Sequence, residues 1–210
     1  MCQSASGKWV FLTVQVLFLQ AVYHFLSALS EILDYLFEGY SVLGPLVYSI
    51  CPVINGLACT TFSIFFVLSI LSDTLLPHWR EQWGYYEAYV ECGYFCKYYG
   101  MNMYVMHVPI VLASIIDINT KQPSRISTYT AGPSLCLGAV SLYNVLFQGF
   151  LAWNYERNNK AIPYPWHYDM PQPWYKSGPF VVYFFAVNAV IYSIVCAVRG
   201  ALLQRAPPCA

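Results

Sequence analysis

WVFLTVQVLFLQAVYHFLSALS, residues 9–30, contains no Asp, Glu, Lys or Arg; Lys8 precedes it and Glu31 follows it. A helix needs about 20 apolar residues to cross a hydrocarbon core about 30 Å thick, so this stretch can span a bilayer. Lys8 would serve as a weak basic start for a secretory signal, and residues 27–30 are mostly small. The apolar region of such a signal is only about 7–15 residues long, however, and this one is longer. We read it as a retained span.

The same clearing of charge recurs along the chain. Residues 39–72 are free of charge between Glu38 and Asp73, 98–116 between Lys97 and Asp117, 126–155 between Arg125 and Glu156, and 177–198 between Lys176 and Arg199. Four of the five gaps exceed the crossing length and the third nearly reaches it. Isolated charges cost several kcal/mol at bilayer depth, which is why spans exclude them. The second gap holds Pro45, Pro52 and Asn55-Gly56. It is too short for two spans of about 20 residues and a turn. One span kinked near Pro52 is expected.

Composition agrees. The 210 residues are 58% hydrophobic and 10% charged, against about 25% charged in an ordinary soluble domain. Mean hydropathy is +0.48. Ten basic residues balance ten acidic ones, so no basic stripe offers itself to nucleic acid. A soluble helical core would need charged solvent faces, and none is visible. Backbone groups in lipid must be satisfied within the segment, so the spans are helices. The expectation is an all-α polytopic membrane bundle of about five transmembrane helices, at about 9–30, 46–71, 101–118, 131–153 and 180–202, forming a single domain over 1–210.

Other signals are few. The eight cysteines form no zinc-like pattern, and Cys92-x3-Cys96 would be a disulfide only in an oxidising compartment. Neither a cofactor nor a metal is expected. With five spans, one side carries Lys8, Arg80, Lys97, Arg157, Lys160 and Lys176, and the other Lys121, Arg125, Arg199 and Arg205. Six against four does not set the orientation. The aromatic loops at 84–100 and 162–169 read as interfacial belts, the second alternatively as a lid over a site.

Polar residues inside the spans fall on stripes. At about 100° per residue, Thr13, Gln20, His24 and Ser27 lie within roughly 60° of one another, with Gln15 off the stripe. His107 and Ser114 share a face of the third helix, with Asp117 at its far end. Ser134, Ser141 and Gln148, flanked by Asn144, line the fourth; Asn188, Tyr192 and Arg199 line the fifth. Such stripes glue helices together or line a site. Of the four histidines, His24 and His107 lie within spans, where an imidazole is a packing residue, a relay or a base. Thr13 and His24 are about 16 Å apart along one helix and cannot pair. Thr13 and His107 can, because the first and third helices start from the same side.

Gly7-Lys-Trp-Val-Phe-Leu-Thr13, followed by Gln20-Ala21-Val22, resembles the opening G-x-W-x-F-L-T and Q-A-V motif of the androgen-induced and androgen-dependent membrane proteins. Met106-His107, the acidic Asp117 and Gln122-Pro-Ser-Arg125 resemble that family's M-H helix, its acidic residue and its Y-P-S-R. Trp153 and Tyr164-Pro165 loosely resemble later aromatic features. The resemblance runs over much of the chain from Gly7, with the motifs in order. It implies a transmembrane threonine hydrolase of fatty-acid esters of hydroxy fatty acids, with Thr13 as nucleophile and His107 as the second essential residue. Gln20, His24, Asn102 and Ser114 are then expected to line the pocket, Asn102 being a candidate oxyanion donor. The chain departs from the family at Gln122, where Tyr is preferred, and in lacking a histidine shortly before His107. Family members also carry a hydrophobic segment ahead of the matched run that this sequence does not contain.

Three functions follow for comparison. The first is the lipid ester hydrolase, in the endoplasmic reticulum or plasma membrane, with the bilayer and a branched fatty-acid ester as its partners. The second is a non-catalytic multi-pass protein that binds lipid or regulates a partner. The third is a small transporter using His24, Gln20 and Asp117, for which no inverted repeat is visible.

Overall fold

The computed structural model describes residues 12–37, 42–75, 99–157, 167 and 170–206. Among them the chain forms six α-helices: α1 Leu12–Leu36, α2 Leu43–Leu75, α3 Tyr99–Thr120, α4 Pro123–Tyr129, α5 Pro133–Arg157 and α6 Gly178–Leu203, with a 3-10 turn at Trp174–Lys176 before α6. Four stretches are long and apolar enough to cross a membrane: Leu12–Leu36, Leu43–Ile64, Pro133–Arg157 and Gly178–Leu203. In α3 the apolar stretch His107–Thr120 is shorter than these four. The described residues are therefore all-helical with four candidate spans, one fewer than the charge-free gaps suggest.

The pattern of burial is that of a protein solvated by lipid. Phe25 is 68% exposed, Phe185 66% and Leu146 62%, while Gln20, Asn55, Asp117, Lys121, Asn144 and Gln148 are buried. A water-soluble helix does the reverse. In a bilayer the apolar exterior costs nothing, and polar groups turn inward to find partners.

α2 lies at the centre. Of its crossing stretch 61% is buried, against 33% or less in the other three. It meets α1, α3, α5 and α6. Pro52 sits inside the helix without ending it. Gly56 lies at a close approach of α2 and α6: a Cβ there would fall against Val195 Cγ2 and 2.9 Å from Val195 Cα. Thr60 and Thr61 donate to the carbonyls of Gly56 and Leu57 at 2.8 and 2.9 Å, so their hydroxyls are satisfied within the helix. Val16, Val53, Leu57, Ile110, Val140, Ile191 and Val195 join in one core that draws on α1, α2, α3, α5 and α6.

Helix ends follow local chemistry. Pro123 occupies the first turn of α4, where a missing N–H costs little. Ser177 caps α6, its Oγ accepting from Phe180 N at 3.3 Å, with Pro179 just inside. α1 continues past Glu31 and Asp34, beyond its charge-free gap, because Asp34 is ion-paired with Arg125.

Candidate functional site

The α1 stripe faces α3. Thr13 Oγ1 lies 2.8 Å from His107 Nε2, two residues 94 positions apart in sequence. His107 is 3% exposed, and Thr13 is half-buried at the first turn of α1. For the hydroxyl to donate, Nε2 must be the unprotonated ring nitrogen, leaving the proton on Nδ1. Pro109, two residues on, has no N–H for the carbonyl of residue 105, so α3 lacks one ladder bond beside the histidine. A hydroxyl in contact with an imidazole buried in an apolar bundle has the spacing that a nucleophile and its base require.

One and a half to two turns deeper, Gln20 Nε2 donates to Ile110 O and to Ser114 Oγ, both at 2.9 Å. Ser114 in turn donates to Ile110 O at 3.0 Å. Gln20 and Ser114, expected to line a pocket, are thus both buried and bonded to each other. His24 is not brought to Thr13: its Nδ1 lies 3.9 Å from Asp117 Oδ1, at the other end of the seam. The side chain of Asn102 lies outside the described residues, as do residues 7–11, His78, Cys92, Cys96 and the loops around them.

Asp117 is the hub of that other end. Its Oδ2 accepts from Tyr23 Oη at 2.7 Å, from Asn55 Nδ2 at 2.8 Å and from Cys51 Sγ at 3.4 Å. Its Oδ1 pairs with Lys121 Nζ at 3.0 Å. Lys121 also donates to Ser27 Oγ at 2.6 Å and lies 5.2 Å from the ring centres of both Tyr23 and Tyr48. Ser27 and Lys121 resemble a nucleophile and base, but the carboxylate at 3.0 Å engages the ammonium as its counter-ion. This cluster was only partly visible in the sequence. Asp117 and Ser27 stood out, whereas Asn55 was noted only as part of an Asn-Gly pair and Tyr23 was not singled out.

The four basic residues at this end are all engaged internally. Beyond Lys121, Arg125 pairs with Asp34, Arg199 Nε donates to Ala131 O at 2.7 Å, and Arg205 bonds the carbonyls of Ile118 and Asn119 at the end of α3. They tie helix ends together. The stripes of α5 and α6 meet each other: Asn188 donates to Ser141 at 3.1 Å and Asn144 to Phe184 O at 3.4 Å. Gln15, off its own helix's stripe, accepts from Tyr143 at 3.4 Å.

At the Thr13 end, His167 is fully buried and stacked on Trp174, ring centres 4.1 Å apart, with Tyr183 edge-on at 5.5 Å. Burial pushes its imidazole down to about 4. Trp174, Phe147, Leu151 and Tyr155 form a hydrophobic cluster against which Leu12 packs. Of the loop 162–169, read as a belt or lid, residues 162–166, 168 and 169 lie outside the described residues.

Among the described residues no three His, Cys, Asp or Glu side chains converge as metal ligands would. Compared with protein-family models, curated proteins and solved structures, the chain matches none.

Proposed function

We propose that the protein is an intramembrane lipid ester hydrolase, with Thr13 as nucleophile and His107 as general base. The observation that carries this reading is the 2.8 Å contact between Thr13 Oγ1 and His107 Nε2, with the imidazole buried. The sequence resemblance to the androgen-induced family falls on the same two residues, and it supplies the substrate class, fatty-acid esters of hydroxy fatty acids. A bundle with an apolar exterior suits a substrate whose acyl chains dissolve in lipid.

The chemistry needs no other group for its proton balance. His107 Nε2 takes the proton as Thr13 Oγ1 attacks the ester carbonyl. The tetrahedral intermediate expels the hydroxy fatty acid's alkoxide, which leaves as the alcohol with the proton held on His107. Water then gives a proton to His107 and attacks the acyl-threonine. The carbonyl collapses, Thr13 recovers its proton from His107, and the second fatty acid departs.

A second reading is favoured by a specific observation: Thr13–His107 is one of several polar bonds between α1 and α3, so it would serve as interhelical glue in a non-catalytic lipid-binding protein. Cleavage of a branched fatty-acid ester by the purified protein in detergent separates them. The hydrolase reading expects turnover by the wild type that Thr13→Ala and His107→Ala abolish. A wild type no faster than both variants would leave the glue reading.

A further inference from the structure

We propose that Asp117 is a positioning residue, fixing the register of α1 on α3 and so holding Thr13 against His107; this rests on the hydrolase reading. Four side-chain to side-chain bonds join α1 to α3 and to Lys121 just beyond it, and these share one spacing. Thr13 and His107, Gln20 and Ser114, Tyr23 and Asp117, and Ser27 and Lys121 are each 94 positions apart. A constant offset means that the helices run parallel in strict register. The rungs recur at intervals of seven residues, with Tyr23–Asp117 interposed, as a seam between slightly supercoiled helices requires.

The rungs differ in strength. The two nearest the Thr13 end join neutral groups, Gln20–Ser114 being a single amide-to-hydroxyl bond. Asp117 instead makes charge-assisted bonds, about twice as strong as neutral ones, to three elements at once. It holds Tyr23 of α1, Asn55 and Cys51 of α2, and Lys121 just beyond α3, which in turn holds Ser27 of α1. Because α2 is the central helix, one carboxylate indexes α1 and α3 against each other and against the helix both lie on. Asp117 itself stands ten positions beyond His107, about 15 Å along the helix, and touches neither reacting group. A slip of one residue would move α3 by about 1.5 Å and turn it by about 100°, which no hydrogen bond of 2.8 Å survives.

The test uses the full chain in detergent, with two readouts made per folded molecule. One is covalent labelling of Thr13 by a fluorophosphonate ester probe, resolved into its saturating rate and its half-saturating concentration. The other is oxidative cross-linking of a Gln20→Cys, Ser114→Cys pair, mapped by mass spectrometry. Asp117→Asn is expected to lower the saturating rate by about 100-fold, the scale of a 1 Å misplacement. The half-saturating concentration should stay unchanged, while the cross-link yield falls in step. Tyr23→Phe, which keeps the ring and loses one bond, should give a smaller loss of both, and it decides the matter if Asp117→Asn does not fold. Folded variants labelled at the wild-type rate, or slowed with cross-linking unchanged, overturn the proposal. If wild type is never labelled at Thr13, the hydrolase reading fails, and the cross-linking alone still decides whether Asp117 sets the register.

Discussion

The Tyr23 hydroxyl donates to the Asp117 carboxylate across 2.7 Å, and the two residues are separated by the same 94 positions as Thr13 and His107. The proposed reacting pair at one end of the seam and the charged cluster at the other thus belong to one ladder. In water such a ladder would compete with solvent for every bond. In lipid the alternative to each bond is an unsatisfied polar group, so the ladder also specifies how the helices align.

Thr13→Ala and His107→Ala should each remove esterase turnover, by about 100- to 10,000-fold where the histidine acts as general base. Thr13→Ser should keep part of the activity, because the hydroxyl stays within reach of Nε2 while the methyl that fixes its rotamer is lost. Neither alanine variant should alter the elution profile in detergent, since the remaining rungs still join α1 to α3. Turnover of a branched fatty-acid ester, measured with size-exclusion elution, checks both points.

Asp117→Ala leaves Lys121 buried with its counter-charge removed. Breaking one side of a buried ion pair costs about 3–5 kcal/mol, most of it the stranded charge. The double variant Asp117→Leu, Lys121→Met should therefore be less damaging than Asp117→Ala alone, since it strands no charge. Thermal unfolding of the three proteins in one detergent gives the order. A double variant less stable than the single would show that Ser27 and the Tyr23 and Tyr48 rings hold the Lys121 ammonium without Asp117.

The charge-free gaps were legible because lipid forbids isolated charge, and each of the four candidate spans among the described residues overlaps one of them. The ends were less legible. α1 runs on to Leu36 through Glu31 and Asp34, since a carboxylate paired with Arg125 no longer ends a span. The inward stripe of α1 could be read from periodicity, as could the face of α3 that carries His107 and Ser114. What periodicity along one helix cannot supply is the partner on another. Asn55 looked like half of a turn signal and is instead the α2 ligand of Asp117. Gln20 and Ser114 looked like pocket residues and are bonded to each other. Polarity on an inward face is required equally by a site and by a seam, so composition does not distinguish them.

His167 should make stability pH-dependent on the acid side. Its imidazole ordinarily takes a proton near 6.5, and burial against Trp174 pushes it down to about 4. Between those values the unfolded chain binds a proton that the folded chain does not. Stability is complete above about 6.5, falls as the pH drops through that window, and levels off below about 4. The loss reaches about 3 kcal/mol, at 1.36 kcal/mol per unit. His167→Phe retains a flat ring against Trp174 and should flatten the acid limb of unfolding midpoint against pH. An acid limb as steep as that of wild type would place the titration on another group.

Gly56→Ala should separate α2 from α6. The added Cβ would press on Val195 Cγ2 and lie 2.9 Å from Val195 Cα. A side-chain tip can rotate away, but a Cα moves only with its helix. Val195 is buried in the core shared with Val53, Leu57 and Ile191, so the displaced backbone disturbs that whole layer. Overpacking of this kind costs about 1–3 kcal/mol. Val195→Ala should relieve only part of it, because it removes Cγ2 and leaves the Cα where it was. The double variant should thus melt above Gly56→Ala but below Val195→Ala alone. Thr13 and His107 lie on α1 and α3 and not on the two helices that the added Cβ pushes apart, so esterase turnover per folded molecule should hold while the melting temperature falls. A fall in turnover at unchanged melting temperature would mean that the α2–α6 crossing reaches the reacting pair through the central helix.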